Sequence, residues 1–265
     1  MDNGHTLADA HRAQQVRLTA PIQRILAEIW RRTIVPGDLD RTFPLYLAAA
    51  ETVLRQGRTA SHALARQYYM RVASAAGEEA VAAGLALAPL TRGALSTSLR
   101  TTGPVLVKSQ LAKGVPLDQA MQAGLAATIA SGKRIMLDGG REMLVQASRR
   151  DPNVRGWARI SDGSSCSFCA MLVSRGPVYS EQTVAFRSHD RCGCGVRLVY
   201  KADADNGWGP DAVELEQLWQ DYPNVREFRA ALKLKRGETK RSNLLGVKAE
   251  DLQTSVDVSR ETTAA

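Results

Sequence analysis

The chain has 265 residues, a formal charge of +8, 44% apolar residues and only 5% aromatic ones. That length allows one or two domains with a real core, and no stretch approaches the roughly 20 apolar residues a membrane-spanning helix needs. The opening MDNGHTLADA has neither a basic start nor an apolar run, so we expect no signal peptide and no membrane association. The expected setting is a reducing cytoplasm, where clustered cysteines bind metal or do redox chemistry rather than form structural disulfides.

Frequent alanine and scarce aromatics favour helices over sandwiches. Thr6 suits a first helix cap, and Pro21 predicts either a second helix or a kink. Ile22, Ile25, Leu26, Ile29 and Trp30 then repeat as one buried helical face, closed by the turn VPGD at 35–38. Tyr46, Ala50, Val53 and Leu54 mark another helix, expected to close near Gly57. The alanine-rich run 59–88 reads as helix with weak points at Gly77 and Gly84. The segment 98–114 reads ambiguously as a short helix and a loop. Pro116 suits the first position of a long helix carrying Leu117, Met121, Leu125 and Ile129. That helix is expected to reach about Arg150, with DGG at 138–140 as a bend or a close helix contact, and RRDPN at 149–153 stops it.

From 154 to 200 the texture is short, turn-rich and cysteine-bearing, and GVRLVY at 195–200 reads as a strand. Pro210 opens a last helix with Leu215, Leu218, Trp219 and Tyr222 on one face. Trp157 and Trp208 read as core plugs of a small fold. The expected division is a basic helical domain at 1–150, a cysteine/histidine domain with short strands at 151–200, a C-terminal helix packed on it at 201–236, and a polar, flexible tail at 237–265.

Charge is uneven along the chain. Residues 1–150 hold 19 basic against 11 acidic side chains, whereas 201–265 hold 10 against 12. The helical front half thus carries the excess, which suggests an acidic partner, with nucleic acid first. Arg134, Arg141, Arg149, Arg150, Arg155 and Arg159 crowd the approach to the cysteines and are the candidate contacts to DNA phosphates or an acidic protein surface. A solvated, arginine-rich surface is the competing reading, because basic and aromatic residues do not interleave and no run of five basic residues occurs.

All four cysteines lie within 29 residues, as C-x2-C at 166–169 and H-x2-C-x-C at 189–194. A C-x2-C turn sets two thiolates on one side of a tight loop, and a second pair from a distant turn completes a tetrahedral site. Gly193 and Gly195 would permit the bends of that second knuckle. Five donors compete for four places. Cys166, Cys169, His189 and Cys192 make a site of three thiolates and one imidazole, which the matching three-residue spacings favour. With Cys194 in place of His189 the site is all thiolate. The expected cofactor is one structural zinc ion. Free thiols are a competing reading, and so is a redox pair, although no βαβ pattern surrounds Cys166. Catalytic zinc would need an open position and a base, for which Glu181 and Asp190 are the only local candidates.

The segment DPNVRGWARISDGSSCSFCAMLVSRGPVY followed by HDRCGCGVRLVY resembles the C-terminal core of phage minor head proteins related to protein F of phage Mu, the MuF-like family, in the form found in tailed phages of actinobacteria. The matching parts are Arg159 with Asp162, Cys166 with Cys169, Gly176 with Pro177, and His189, Cys192 and Cys194, over about 150–200. The resemblance implies a head-morphogenesis protein in the procapsid or virion interior, assembled in the bacterial host cytoplasm. Its implied partners are the portal, scaffold or major capsid protein, and phage DNA.

Proteins of that kind also carry the label of capsid maturation protease. A serine protease needs a nucleophile, a histidine base and an orienting acid. His5 and His11 lie at the N-terminal end, His62 follows Ser61 in a helix, and His189 is claimed by the cysteines. Ser164, Ser165 and Asp162 read as turn residues, so no catalytic residue is assigned. The expectation is therefore a mainly α chain, with a helical N-terminal region followed by a small α+β, zinc-knuckle-like C-terminal domain. It would act as a minor capsid protein. A capsid maturation protease and a stand-alone DNA-binding module are the alternatives.

Overall fold

A computed structural model describes residues 3–161, 163, 165–178, 186–203 and 206–238. Asp162, Ser164, Glu181 and the tail from 239 onward lie outside the described residues.

Two long helices form an antiparallel pair, α1 (Asn3–Thr33) and α2 (Leu39–Ala75), joined by the expected turn at 35–38. α1 runs through Pro21 as one element. Proline costs an interior helix about 3 kcal/mol. Here it lies on the exposed side, where water can satisfy the carbonyl it leaves unmatched, while Leu26, Ala27 and Trp30 bury the opposite face. α2 does not stop at Gly57. A Cβ there would lie 2.6 Å from the Met136 sulfur and 2.8 Å from Ile22 Cδ1, so this glycine lets three helices converge.

α2 ends earlier than the alanine content suggests. Gly77 takes a left-handed conformation (φ +76), its N–H donates to the Ser74 carbonyl, and Glu78 N–H donates to Ala73. This pattern closes a helix by satisfying its last carbonyls. Residues 76–91 then form an irregular strap that buries Ala82 and Leu85, with Ala82 N–H on the Tyr69 hydroxyl. Thr91 caps α3 (Arg92–Arg100) by accepting from Ala94 N–H. A π-helical turn, Thr101–Val105, contains Pro104 and leads into α4 (Leu106–Ala112). The ambiguous segment is thus helical almost throughout, because proline's missing N–H is tolerated where the helix already widens.

α5 (Leu117–Arg150) passes down the middle of the molecule. Pro116 sits at its cap, one position before the expected place. Gly139 and Gly140 are close helix contacts: a Cβ on either would fall within 2.8 Å of the Arg58 or Ser61 carbonyl oxygen.

After Asp151 the chain turns into β1 (Val154–Ile160), antiparallel to β2 (Gly195–Tyr200), with Trp157 opposite Leu198 and Arg159 opposite Val196. β1 lies in the segment where short strands are expected, although its own place is not marked in the sequence. Six of its seven residues are buried, so it shows none of the alternation that marks a half-buried strand. Between the strands lies α6 (Ser167–Val173), and after them α7 (Pro210–Asp221) and α8 (Val225–Lys235). The expected single last helix is two helices, because Pro223 interrupts it and Asn224 caps the second by accepting from Arg226 N–H.

The fold is mainly α, with a small α+β C-terminal region. One core cluster gathers Ala8, Tyr68, Tyr69, Leu144, Trp157, Leu198 and Tyr200, so the strands lean directly on α1, α2 and α5. A second fills the other end of the bundle around Trp30, Phe43, Tyr46 and Leu54. A third joins α6, α7 and α8 through Val173, Leu215 and Phe228. Cys169, Cys192 and Cys194 form a fourth, with Phe186 packed against it.

Candidate metal centre

The first knuckle is the start of α6. Cys166 is the extended cap residue, its carbonyl accepts from Ala170 N–H, and Cys169 follows in the first turn. Spacing of three on a helical turn sets both sulfurs on one side. α6 closes at Gly176 (φ +61), whose N–H donates to the Val173 carbonyl. A Cβ there would strike the Trp208 ring at 2.5 Å. Gly176 and Trp208 thus form a tight lid, and Trp208 packs against the α6–α8 core as expected.

The second knuckle is the turn from His189 to Cys192, closed by Cys192 N–H on the His189 carbonyl. Neither Gly193 nor Gly195 takes a positive φ. Arg191 does, at +72. A non-glycine residue in that region costs roughly 1–2 kcal/mol and persists where surrounding contacts over-determine it.

The two knuckles meet. Cys166 and Cys169 Sγ lie 3.0 and 3.2 Å from His189 Nε2, and Cys169 Sγ lies 3.7 Å from Cys192 Sγ. The donors form two overlapping triads, Cys166–Cys169–His189 and Cys169–Cys192–Cys194, each drawn within 4.8 Å. Cys169 belongs to both. Cys169, Cys192 and Cys194 are buried, whereas Cys166 and His189 are exposed. Thiolates on a tetrahedral zinc at 2.3 Å stand about 3.8 Å apart, close to the Cys169–Cys192 separation. His189 Nδ1 lies 2.6 Å from the Asp190 carbonyl. A carbonyl only accepts, so Nδ1 carries the proton and Nε2 presents its lone pair to the sulfurs, the tautomer a metal requires.

Charge around the sulfurs is matched by arginine. Arg159, 3% exposed, holds Nη1 3.9 Å from Cys192 Sγ and donates Nη2 to the Arg187 carbonyl at 2.8 Å. Its guanidinium lies 3.8 Å from the centre of the Phe186 ring, and that of Arg141 lies 4.9 Å from it. The Cys192 thiol is held far below its usual range, first by hydrogen bonding with Cys169 and Cys194 and also by the Arg141 charge. Cys169 is pushed far up, first by its hydrogen bonds to Cys192 and Cys194 and then by burial. So crowded a set does not ionise together by itself, and a divalent cation removes that conflict. The cluster can hold a metal ion.

A sequence family described as VG15 protein matches residues 3–222. The chain belongs to this family. It is also 35% identical over 122 residues to the Gene 15 protein of Mycobacterium phage D29, a match covering 44% of this chain and 41% of that protein. The matched region is thus less than half of the relative's length. No solved structure matches the chain. The VG15 membership and this relative bear out the coarser expectation, a phage protein. No helix among the described residues is long and apolar enough to cross a membrane.

The six arginines marked in the sequence divide in this VG15 protein. Arg149 and Arg150 are exposed at the end of α5, and Arg155 is exposed at an irregularity of β1 with Nη1 on Asn206. Arg134 is half-buried and bonded to Asp190 and Ser98. Arg141 and Arg159 are buried behind the sulfurs and offer nothing to a partner. The docking of 186–194 encloses both side chains, Arg141 on the Cys192 and Cys194 carbonyls and Arg159 on the Arg187 carbonyl. Sequence reasoning missed Asp138, Phe186 and Ser188. The spacing of Arg134, Asp138 and Arg141 along one helix face was a visible signal for Asp138, while nothing local marked the other two.

The VG15 histidines outside the cluster are engaged elsewhere. His5 Nε2 lies 3.4 Å from Asp9, and His11 is buried against Tyr68. Ser61 donates its hydroxyl proton to Gln15 and accepts from Gly140 N–H, while its neighbour His62 is half-buried and hydrogen-bonded to the Leu85 backbone. Ser165 shares a hydrogen bond with Ser161 at 2.9 Å.

Proposed function

We propose that this chain is a minor capsid, head-morphogenesis protein of a tailed phage, acting at the portal or procapsid and clamped by one structural zinc ion. The observation that carries the reading is the convergence of Cys166, Cys169, His189, Cys192 and Cys194. They are the residues that carry the resemblance to MuF-like proteins. VG15 membership and the phage relative support the same reading. Thiolates with imidazole in a small tetrahedral site favour zinc over oxygen-loving cations.

The proposed ligands are Cys166, Cys169, His189 and Cys192. Buried charge supports this set. Three thiolates around a divalent cation leave one negative charge, and Arg159 beside Cys192 supplies one positive charge, while Arg141 already has Asp138 as its counter-ion. Four thiolates would leave a second negative charge beside the buried Cys169, Cys192 and Cys194. Every ligand position is filled by protein, which suits a structural rather than a hydrolytic metal.

The outward arginines, Arg149, Arg150 and Arg155, are the proposed contacts to packaged DNA or an acidic portal surface. Virion location and the portal, scaffold or capsid partners follow from the same reading. The test combines metal and particle. Elemental mass spectrometry of the purified chain should give about one zinc per protein, and peptides of the chain should be found in purified virions and in portal-containing procapsids. Absence from both particles removes the head-morphogenesis role. Specific cleavage of scaffold or capsid protein by the purified chain would replace it with the protease.

A further inference from the structure

We infer that Arg141 is a positioning residue of the metal centre, holding the second knuckle on α5 so that half of the site is formed before any cation arrives. The inference deepens the metal reading above and rests on it.

Arg141 is 5% exposed. Its Nε and Nη2 donate to the Cys194 carbonyl at 3.1 and 2.8 Å, and Nη2 also donates to the Cys192 carbonyl at 2.9 Å. Both acceptors belong to residues of the cysteine cluster. Nη1 donates to Asp138 Oδ1 at 3.0 Å, which also accepts from the Ser188 hydroxyl at 2.9 Å. About two turns before Arg141, Arg134 Nε donates to Asp190 Oδ1 at 2.8 Å. Three side chains on one face of α5 therefore grip residues 188, 190, 192 and 194. The planar guanidinium is suited to two adjacent carbonyls in a way that an ammonium is not.

The first knuckle is anchored to other elements. α6 buries Ala170 and Val173 against α7 and α8. Arg229 donates to the Ser167 hydroxyl and Arg236 to the Ser165 carbonyl. The cation thus joins two separately held pieces of chain, one fixed to the long helix and one to the C-terminal helices. Pre-holding one of them lowers the ordering cost of binding.

The test uses the full chain stripped of metal and titrated with Co²⁺, with Zn²⁺ affinity read by chelator competition. Arg141→Met should weaken affinity by about 10–100-fold, as loss of groups that orient ligands does, with cobalt–thiolate bands unmoved in position because no sulfur has changed. Arg141→Lys should recover part of the loss, which a filler of space would not. In the metal-free wild type, amides of 188–195 should exchange slowly, and in metal-free Arg141→Met quickly. Wild-type affinity in Arg141→Met, or fast exchange of 188–195 in the metal-free wild type, overturns the inference. If Arg141→Met does not fold, Arg134→Gln, whose side chain is more exposed, serves instead. It should weaken binding several-fold, and unchanged binding there also counts against the inference. A wild-type chain that takes up neither ion overturns the metal reading and this inference with it.

Discussion

The imidazole of His11 stacks on the ring of Tyr68, with centroids 4.8 Å apart and planes 14° from parallel. The Tyr68 hydroxyl in turn accepts from the backbone N–H of Leu198. One small stack thus connects α1, α2 and β2, and the docking of the sheet on the helices passes through a titratable ring.

That ring sets the first prediction. Burial lowers the His11 pKa from 6.5 to about 4. Above pH 6.5 the ring is neutral in folded and unfolded chains alike, and its contribution is fully present. Between 6.5 and 4 the unfolded chain binds a proton that the folded chain refuses, so stability falls with pH, by about 3 kcal/mol when complete. Urea denaturation at pH 7.5 and 4.5 should show this loss in the wild type. In His11→Phe it should be smaller by about 2–3 kcal/mol. Equal acid sensitivity of the two proteins would contradict it.

The cysteines are predicted to be unequal. Cys169 lies in both donor triads, so Cys169→Ser should weaken cobalt binding by at least about 100-fold, beyond what loss of an outer group does. Cys192→Ser should act similarly. Cys194→Ser should keep the affinity within about 10-fold and leave the thiolate band intensity unchanged. The absorbance of the Co²⁺ complex checks the order. Loss of binding in Cys194→Ser with retention in His189→Ala would favour the all-thiolate set.

Chelation should act locally. The bundle core around Trp30, Phe43 and Leu54 shares no residue with the cysteine cluster. Removal of the proposed zinc should therefore preserve most far-ultraviolet helical signal while lowering the thermal midpoint by roughly 5–10 °C, because an ion bound only by the folded state stabilises it. Collapse of the helical signal on chelation would show that the long helices depend on the site.

Gly139 supplies a packing test. An added Cβ would lie 2.6 Å from the Arg58 carbonyl oxygen and 2.7 Å from its Cγ. A backbone atom cannot step aside as a flexible side chain can. Gly139→Ala should destabilise the chain by about 1–3 kcal/mol despite the better helix propensity of alanine. Gly93→Ala, where nothing lies within 4 Å, should be neutral or slightly stabilising. The difference in urea midpoints measures the contact.

The long helices could be read from the chain because their apolar residues recur with the helical period, as at Ile22, Leu26 and Ile29, and because the turn at 35–38 and the stop at 149–153 are local chemistry. The five donors were equally legible, since thiolate and imidazole spacing is set by covalent distance along the chain. β1 was not, because a strand buried on both faces shows no alternation. The stop at Ala75 was hidden by helix-favouring alanines that the Gly77 cap overrides.

The arginines mark the boundary between what residue order settles and what folding adds. Composition and residue order alone establish a basic, arginine-rich chain with its four cysteines gathered at 166–194, because charge and donor type belong to each residue wherever it lies. Whether a given guanidinium faces solvent or backs a carbonyl beside a sulfur belongs to no residue. Arg141 and Cys194 are 53 positions apart, and they meet because α5 and β2 bury a common apolar surface around Leu144, Trp157 and Leu198. That burial is non-directional and additive over many side chains, so no single spacing in the chain announces it.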